Sequence, residues 1–282
     1  MFDVCVIGHI TKDIIRIGDT EREMPGGTAY YASIAMKSLG LNVAVVTKIG
    51  KRDSSLLDNI ESEQIPIFLG ESFGTTTFTN IYLSGADERK QLVSEIATPF
   101  TLDDVEGIES KTFHFGPLTR NDIPLEMLLS LSNRSMVSLD AQGFLRSIDQ
   151  RSGEVIITDW EKKEEFLPFV NVLKVDEDEA RVMSGEEELE EMAVKLSRYG
   201  PEEVIVTRGG KGSLIYCKSK LYWISSFAPR KLVDPTGCGD TYMAGYLYFG
   251  TRTNNLREIG EFAARTATLK LENYGPVTKN RV

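Results

Sequence analysis

The sequence predicts an α/β fold in which a mainly parallel central sheet is flanked by helices and carries a small β-sheet lid. The large sheet is predicted because short apolar runs, such as residues 2–8, 42–50 and 203–207, alternate with helical segments. This alternation is typical of buried parallel strands joined by helices. The small sheet is predicted because residues 75–83 and 91–95 are β-branched and alternate between apolar and polar.

The other elements are predicted from helical spacing, clusters of small residues, and the glycine and proline residues that end them. Helices are expected at about 28–39, 54–60, 124–131, 161–169, 189–199, 240–249 and 256–272. Further strands are expected at 112–116, 136–140, 171–175 and, as a hairpin, 213–216 and 220–225. We expect one domain spanning 1–282, whose lid is built from about 13–25 and 65–97 and includes a strand at 65–69 and a turn at 85–89.

Length, charge and cysteine content limit the class of protein. The 282 residues are enough for one large α/β domain, and a formal net charge of −10 argues against a general nucleic-acid binder. No apolar run is long enough to span a bilayer, and the N-terminus lacks a signal pattern. Three scattered cysteines and two histidines lack metal-ligand spacing and fit a reducing cytoplasm. We therefore expect a cytoplasmic protein with no nucleic-acid or membrane partner.

The stretch from 231 to 245 has the pattern of an anion-binding turn. An apolar run ends before Pro235, which bends the chain, and Gly237 and Gly239 flank Cys238. A helix follows at once, and its first N–H groups have no partner inside it. A glycine-rich turn leading into such a helix end can bind an anion.

Asp240 lies in the first turn of this predicted helix. Its carboxylate would either cap the helix or act as a general base beside the bound anion. If the anion is a phosphoryl group in transfer, the N–H groups would stabilise its charge, and Asp240 would take the proton of the attacking hydroxyl.

The segment Asp234-Pro-Thr-Gly-Cys-Gly-Asp240 resembles the D-T-x-G-A-G-D signature of the ribokinase-like (PfkB) carbohydrate kinases, with Cys238 in place of the usual alanine. The resemblance implies a ribokinase-like fold. It also implies transfer of the ATP γ-phosphoryl group to an alcohol of a small polyhydroxy substrate, a sugar or a cyclitol such as myo-inositol. Asp240 would be the base, and Gly237, Cys238 and Gly239 would hold the developing charge. Mg²⁺ is expected, a monovalent cation is possible, and the protein would be a monomer or a homodimer through the lid.

Substrate-binding residues follow from the same resemblance. Asp13 matches an aspartate that binds sugar hydroxyls, and Gly26-Gly27 resembles the family's first signature. Thr28 and Tyr31 stand where the family often has lysine and asparagine. The resemblance therefore leaves open whether ribose itself is the substrate. The expected substrate-binding residues are Asp13, Gly27, Thr28, Tyr31, Gln142 and Arg146.

Metal and donor contacts are expected in the second half of the chain. Asp176-x-x-Glu179 resembles the family's N-x-x-E, which organises Mg²⁺, although an acidic helix start explains the cluster almost as well. The 207–213 segment resembles the nucleotide-binding T-x-G-x-x-G and lacks Walker A spacing. The expected cofactor-binding residues are Lys174, Thr207, Gly209, Gly212 and Asn273.

Two other functions stay open. A nucleoside kinase of the same family would stack a base on an aromatic ring such as Tyr31 or Phe144. A non-catalytic nucleotide-binding protein is the second alternative, and the intact Asp240 argues against it. A low-pKa thiolate at Cys238 would in addition make the protein sensitive to oxidation.

Overall fold

The computed structural model describes residues 1–82 and 89–279. The predicted turn at 85–89 therefore lies mostly outside the described residues. The strands of the described part are β1 (Phe2–Ile7), β2 (Thr11–Ile17), β3 (Thr20–Gly26), β4 (Val43–Lys48), β5 (Ile67–Gly70), β6 (Thr77–Tyr82), β7 (Arg89–Glu95), β8 (Ser110–Phe115), β9 (Met136–Asp140), β10 (Arg146–Ile148), β11 (Val155–Ile157), β12 (Val172–Asp176), β13 (Glu203–Thr207), β14 (Ser213–Cys217) and β15 (Lys220–Ile224).

Helices connect most of the parallel strands. They are α1 (Thr28–Ser38), α2 (Asp58–Ser62), α3 (Leu125–Ser132), α4 (Lys163–Phe166), α5 (Glu177–Ser184), α6 (Leu189–Ser197), α7 (Cys238–Gly250) and α8 (Leu256–Leu271). None of the helices in these described ranges is both long and apolar enough to cross a membrane.

The large sheet has nine strands in the order β15-β14-β13-β12-β9-β8-β1-β4-β5. The pairs from β13 to β5 are parallel, whereas β14 and β15 form an antiparallel edge. Side chains alternate between two cores: Val4 and Val6 face the layer of α1, α7 and α8, and Cys5 and Ile7 face the layer of α3, α5 and α6. The predicted mainly parallel sheet flanked by helices is confirmed.

The small sheet has four strands in the order β3-β2-β6-β7. The strand expected at 65–69 is not part of it. That strand is β5, which pairs in parallel with β4 at the edge of the large sheet. The prediction was wrong because an edge strand of the large sheet can be as exposed as a lid strand, and Phe68 and Leu69 on its two faces are both exposed.

One predicted helix is shorter than expected. The segment 161–169 forms only α4, followed by a separate 3₁₀ turn at Leu167–Phe169. Pro168 lies at the start of this turn and cannot donate the backbone hydrogen bond that would continue an α-helix.

Candidate active site

A polar cavity of about 270 Å³ lies where the carboxyl ends of the central strands face the small sheet. All six predicted substrate-binding residues and the predicted catalytic segment 237–240 line it, although they come from distant parts of the chain. This is the edge at which ligands bind to open parallel sheets. The cavity also contains residues that the sequence did not single out: Phe78 and Asn80 from β6 and Gln91 from β7. Phe78 and Asn80 are two residues apart on β6, and this spacing could have shown that they share one face.

The N-terminus of α7 forms the floor of the polar cavity. Gly237 is its N-cap and has a left-handed conformation, with φ of 77°. A Cβ at this position would lie 2.3 Å from the ring of Tyr31, so the turn requires glycine. The Cys238 N–H donates to the Pro235 carbonyl at 3.2 Å. It can therefore reach a bound anion only as a shared donor, whereas Gly239 and Asp240 lie in the first turn, where N–H groups have no intrahelical partner.

Asp240 has a raised pKa of about 6. Burial is the main cause, and the nearby carboxylate of Asp140 adds to it. The ammonium of Lys174, a hydrogen bond from Thr28 and the charge of Arg146 oppose the rise. Asp240 is therefore ionised at neutral pH but close enough to its pKa to accept a proton readily.

A chain of hydrogen bonds ends on this carboxylate. Arg146 donates to the Gln142 side-chain oxygen at 3.1 Å, and the Gln142 amide donates to Thr28 Oγ1 at 3.0 Å. The Thr28 hydroxyl in turn bonds to Asp240. Three predicted substrate-binding residues thus also orient the candidate base.

Asp13 and Tyr31 form the other side of the cavity. Asp13 accepts a hydrogen bond from Thr11 Oγ1 at 2.7 Å and packs closely against Gly26. The Tyr31 ring supports Gly237, and its buried hydroxyl has no hydrogen-bond partner within residues 1–82 and 89–279. A buried polar atom of this kind can bond to a ligand.

Lys174 and Asp140 form a buried ion pair, with Nζ and Oδ2 separated by 2.8 Å. Burial lowers the pKa of Lys174, but the carboxylates of Asp140 and Glu179 raise it more, so the net pKa lies above its usual range. A Cβ on Gly239 would lie 2.9 Å from the Lys174 Nζ. The ammonium therefore adds positive charge directly beneath the anion-binding turn.

Asp176 and Glu179 cap the start of α5. Asp176 Oδ1 accepts from the Glu179 N–H and Glu179 Oε2 from the Asp176 N–H, both at 2.8 Å. Asp176 lines the polar cavity, whereas Glu179 is buried and does not line it. Burial raises the pKa of Glu179 to about 7. Within the described ranges no group of three or more histidine, cysteine or acidic residues could hold a metal alone. The pair suits Mg²⁺ only together with water or phosphate oxygens.

A second, largely apolar cavity of about 760 Å³ lies on the other side of the 235–239 turn. It is formed by the 207–212 loop, the 226–232 segment and α8, and it contains Gly209 and Gly212. Both cavities include Thr207, Cys238 and Gly239, so they meet at the anion-binding turn. Such an arrangement can hold two reactants on either side of the group that passes between them.

Three residues named from the sequence have surroundings that do not suit the roles considered for them. Asn273 is outside the lining of both cavities, and its amide donates to the Leu269 carbonyl. Burial raises the pKa of Cys238 to about 12, which contradicts a low-pKa thiolate. Phe144 is fully buried and stacked on Trp160 at 4.2 Å, so it cannot stack a base.

Comparison with known proteins gives a consistent result. The model of the pfkB family carbohydrate kinases matches residues 1–281. A cytidine kinase of Thermococcus kodakarensis is 28% identical, with 98% of each chain covered. A sulfate complex of a pyrophosphate-dependent kinase in the ribokinase family has a TM-score of 0.90 and 27% identity, covering 99% of this chain and 98% of that one. A pyrophosphate-dependent kinase of that family, complexed with a pyrophosphate analogue and myo-inositol, has a TM-score of 0.88 and 26% identity, covering 99% and 98%.

The similarity to this family therefore extends from the 234–240 segment to almost the whole chain and to the fold. The family's members are phosphotransferases with an alcohol group as acceptor, and the relatives act on sugars, cyclitols or nucleosides. The chain belongs to the pfkB family of carbohydrate kinases and is a ribokinase-like kinase.

Proposed function

We propose that this protein transfers the γ-phosphoryl group of ATP to a hydroxyl of a small polyhydroxy compound, with a cyclitol such as myo-inositol as the first candidate. The main support for this proposal is that a polar and an apolar cavity meet at the 237–240 turn. The polar cavity would take the acceptor, and the apolar cavity would take the adenosine part of the donor. The four-stranded sheet would act as a lid that excludes water from the transfer.

The acceptor hydroxyl would be activated by Asp240. In this mechanism the carboxylate removes the hydroxyl proton as the oxygen attacks the terminal phosphorus, and the bond to the leaving phosphate oxygen breaks. Asp13, Gln142 and Arg146 would bind the remaining hydroxyls. General-base catalysis of this kind is worth about 10²–10⁴-fold.

The transferred phosphoryl group would be stabilised by the first turn of α7. The N–H groups of Gly239 and Asp240 would direct their partial positive charge at this group, and Lys174, close to Gly239, would add a full charge. Thr207, Gly209 and Gly212 would approach the rest of the donor. Asp176 and Glu179 would hold Mg²⁺ through water, and the metal would neutralise phosphate charge when bound.

A polyol acceptor is favoured over a nucleoside by the aromatic residues near the cavity. Phe144 is in the core, and the Tyr31 ring packs against Gly237. Phe78 lines the cavity, but the Arg146 guanidinium lies 5.2 Å from its ring centre and covers that ring. The similarity to a cytidine kinase keeps the nucleoside as the second candidate.

Pyrophosphate is the alternative donor, because two similar structures are of pyrophosphate-dependent kinases. Pyrophosphate would occupy the anion-binding turn and leave the apolar cavity of about 760 Å³ without a ligand. The size and apolar walls of that cavity support ATP.

The test measures phosphoryl transfer from Mg²⁺-ATP and from Mg²⁺-pyrophosphate to pentoses, hexoses, myo-inositol and cytidine. We expect one strong acceptor with ATP, and a loss of about 10²–10⁴-fold in kcat in Asp240→Asn. Asp103→Asn, the same change at an exposed residue, should keep wild-type rates. Near-normal turnover by Asp240→Asn would exclude Asp240 as the base, and turnover with pyrophosphate alone would exclude ATP as the donor.

A further inference from the structure

Lys270, in the last turn of α8, is a buried lysine that the proposed mechanism does not use. Its side chain has 0% exposure. Lysine is rarely buried completely unless its charge is paired, because removing an ammonium from water is costly. The groups around Lys270 therefore indicate what its charge does.

The Lys270 ammonium is coordinated by oxygens of the chain. Nζ lies 3.1 Å from the Asp234 carbonyl, 3.0 Å from Asp234 Oδ2 and 3.0 Å from the Asn273 carbonyl. It also lies 5.7 Å from the centre of the Tyr31 ring. Two main-chain carbonyls and a carboxylate form an oxygen cage, the kind of environment that proteins use to bind a dehydrated monovalent cation such as K⁺.

This cage is attached directly to the anion-binding turn. Asp234 uses one carboxylate oxygen for Lys270 and accepts the Thr236 N–H at 2.9 Å with the other. The Val233 N–H donates to the Leu271 carbonyl at 2.8 Å, which ties the approach to the turn to the end of α8. A positive charge in the cage thus fixes the backbone three residues before Gly237.

We propose that the Lys270 ammonium occupies a monovalent-cation site and holds the anion-binding turn in its active shape, so that catalysis needs no free K⁺. Lys270 is a positioning residue in this scheme, because it acts through Asp234 and the turn. The inference rests on the proposed kinase function. It also replaces the expectation of a possible monovalent activator with a cation that the chain supplies itself.

The experiment compares wild type with Lys270→Ala in K⁺, NH₄⁺, Na⁺ and choline at equal ionic strength. Wild-type kcat should differ less than twofold among the four cations. Lys270→Ala should lose at least tenfold in kcat in choline, and K⁺ or NH₄⁺ should restore most of it, because the empty cage can then bind a free cation. Lys231→Ala removes the same charge from an exposed residue near the turn and should behave as wild type.

Thermal unfolding provides a readout that is independent of the reaction. The Tm of Lys270→Ala should rise with K⁺ concentration and reach a plateau, while the wild-type Tm stays constant. This result would support the cation site even if the proposed acceptor and donor are wrong. Lys270→Ser, which also leaves the cage open to a free cation, serves if the alanine variant does not fold.

Three results would overturn the proposal. The first is strong activation of the wild type by K⁺. The second is a variant whose kcat and Tm respond to no cation, which would leave Lys270 with a packing role only. The third is full activity of both Lys270 variants in choline.

Discussion

The Thr28 hydroxyl connects the acceptor side of the site to the candidate base. It accepts a hydrogen bond from Gln142 and donates one to Asp240. Burial and Asp140 raise the pKa of Asp240, and the bond from Thr28 lowers it, so the value of about 6 is a balance of opposing effects. A carboxyl of raised pKa is an effective base only above that pKa, where it is ionised.

Removing this hydroxyl should move the pH profile. In the wild type we expect kcat/KM to fall about tenfold per pH unit below about pH 6, as Asp240 becomes protonated. Thr28→Val keeps the shape of the side chain but loses the hydrogen bond that lowers the pKa. The acid limb should therefore shift to higher pH, with lower activity at pH 7, as measured by kcat/KM between pH 5 and 9.

Thr28→Ser is the matched control, because it keeps the hydroxyl and loses only a methyl group. Its acid limb should stay near that of the wild type. An unchanged limb in Thr28→Val, or an equal shift in both variants, would show that the bond to Asp240 does not set the profile.

The positions of site residues were predictable where they follow directly from the order of strands along the chain. Asp13, Asp140 and Thr207 lie at or just beyond the carboxyl ends of predicted strands, so the sheet brings them together. The pairing of Lys174 with Asp140 was not predictable, because it depends on which strands are neighbours. The cage around Lys270 likewise forms only when the end of α8 meets the segment before Gly237.

At the scale of the element, the start of α7 determines the site. Gly237 allows a left-handed turn and packs on Tyr31, and with the first turn of α7 it lines the cavity. A side chain here would meet two obstacles. The left-handed conformation costs about 1–2 kcal/mol for a residue with a Cβ, and the Tyr31 ring lies 2.3 Å from the position of that atom.

Gly237→Ala should therefore shift the turn away from the transferred group. We expect a loss of about 10²-fold or more in kcat, as for removal of a donor that stabilises charge in the transition state, together with a lower Tm. Steady-state kinetics and thermal unfolding would measure the two effects separately.

Gly250→Ala at the other end of α7 is the control. A Cβ there meets nothing within 4 Å, and alanine favours a helix more than glycine does, so activity should not change and stability should be equal or higher. Equal kinetics for Gly237→Ala and wild type would mean that the turn does not hold the phosphoryl group.

The elements themselves were largely predictable, for a physical reason. Buried strands such as β1 and β4 are mainly apolar, and Gly40 lies just beyond the end of α1. The predictions failed where the pattern was ambiguous. β5 is short and partly exposed, as a lid strand would be, because it is an edge strand of the large sheet. Pro168 ends the helix that was predicted at 161–169.

At the scale of the whole molecule, the ionised carboxyls of the site lower the stability of the folded protein. Asp240, Asp140 and Glu179 are carboxyls held close together, and Lys174 is the only ammonium ion-paired with any of them in the described part of the chain. The pKa values of Asp240 and Glu179 are raised to about 6 and about 7. Ionising them is therefore less favourable in the folded protein than in the unfolded chain, and stability should depend on pH.

The sign of this dependence follows from the proton balance. Between their ordinary and their raised pKa values the two carboxyls hold protons in the folded state that they lose in the unfolded state, so the stability falls as pH rises through this range and levels off above about 7. His114 acts in the opposite direction. Burial lowers its pKa from 6.5 to about 4, so it takes up a proton in the unfolded chain before it does so in the folded protein. At pH 6.5 this already lowers the stability by about 0.4 kcal/mol relative to pH 8, which offsets part of the contribution of the carboxyls.

We predict that the free energy of unfolding rises by ~0.5 kcal/mol from pH 8 to pH 6.5, because the proton that Glu179 takes up in the folded state outweighs the opposing effect of His114. Urea denaturation at the two pH values measures it. Glu179→Gln should remove the rise, since glutamine keeps the capping bond to the Asp176 N–H without titrating. Asp240→Asn should keep most of the rise, because a pKa of about 6 leaves that group largely ionised throughout the window. A rise that disappears in Asp240→Asn and persists in Glu179→Gln would reverse the assignment. Asp240 would then be the carboxyl that takes up the proton in this pH range.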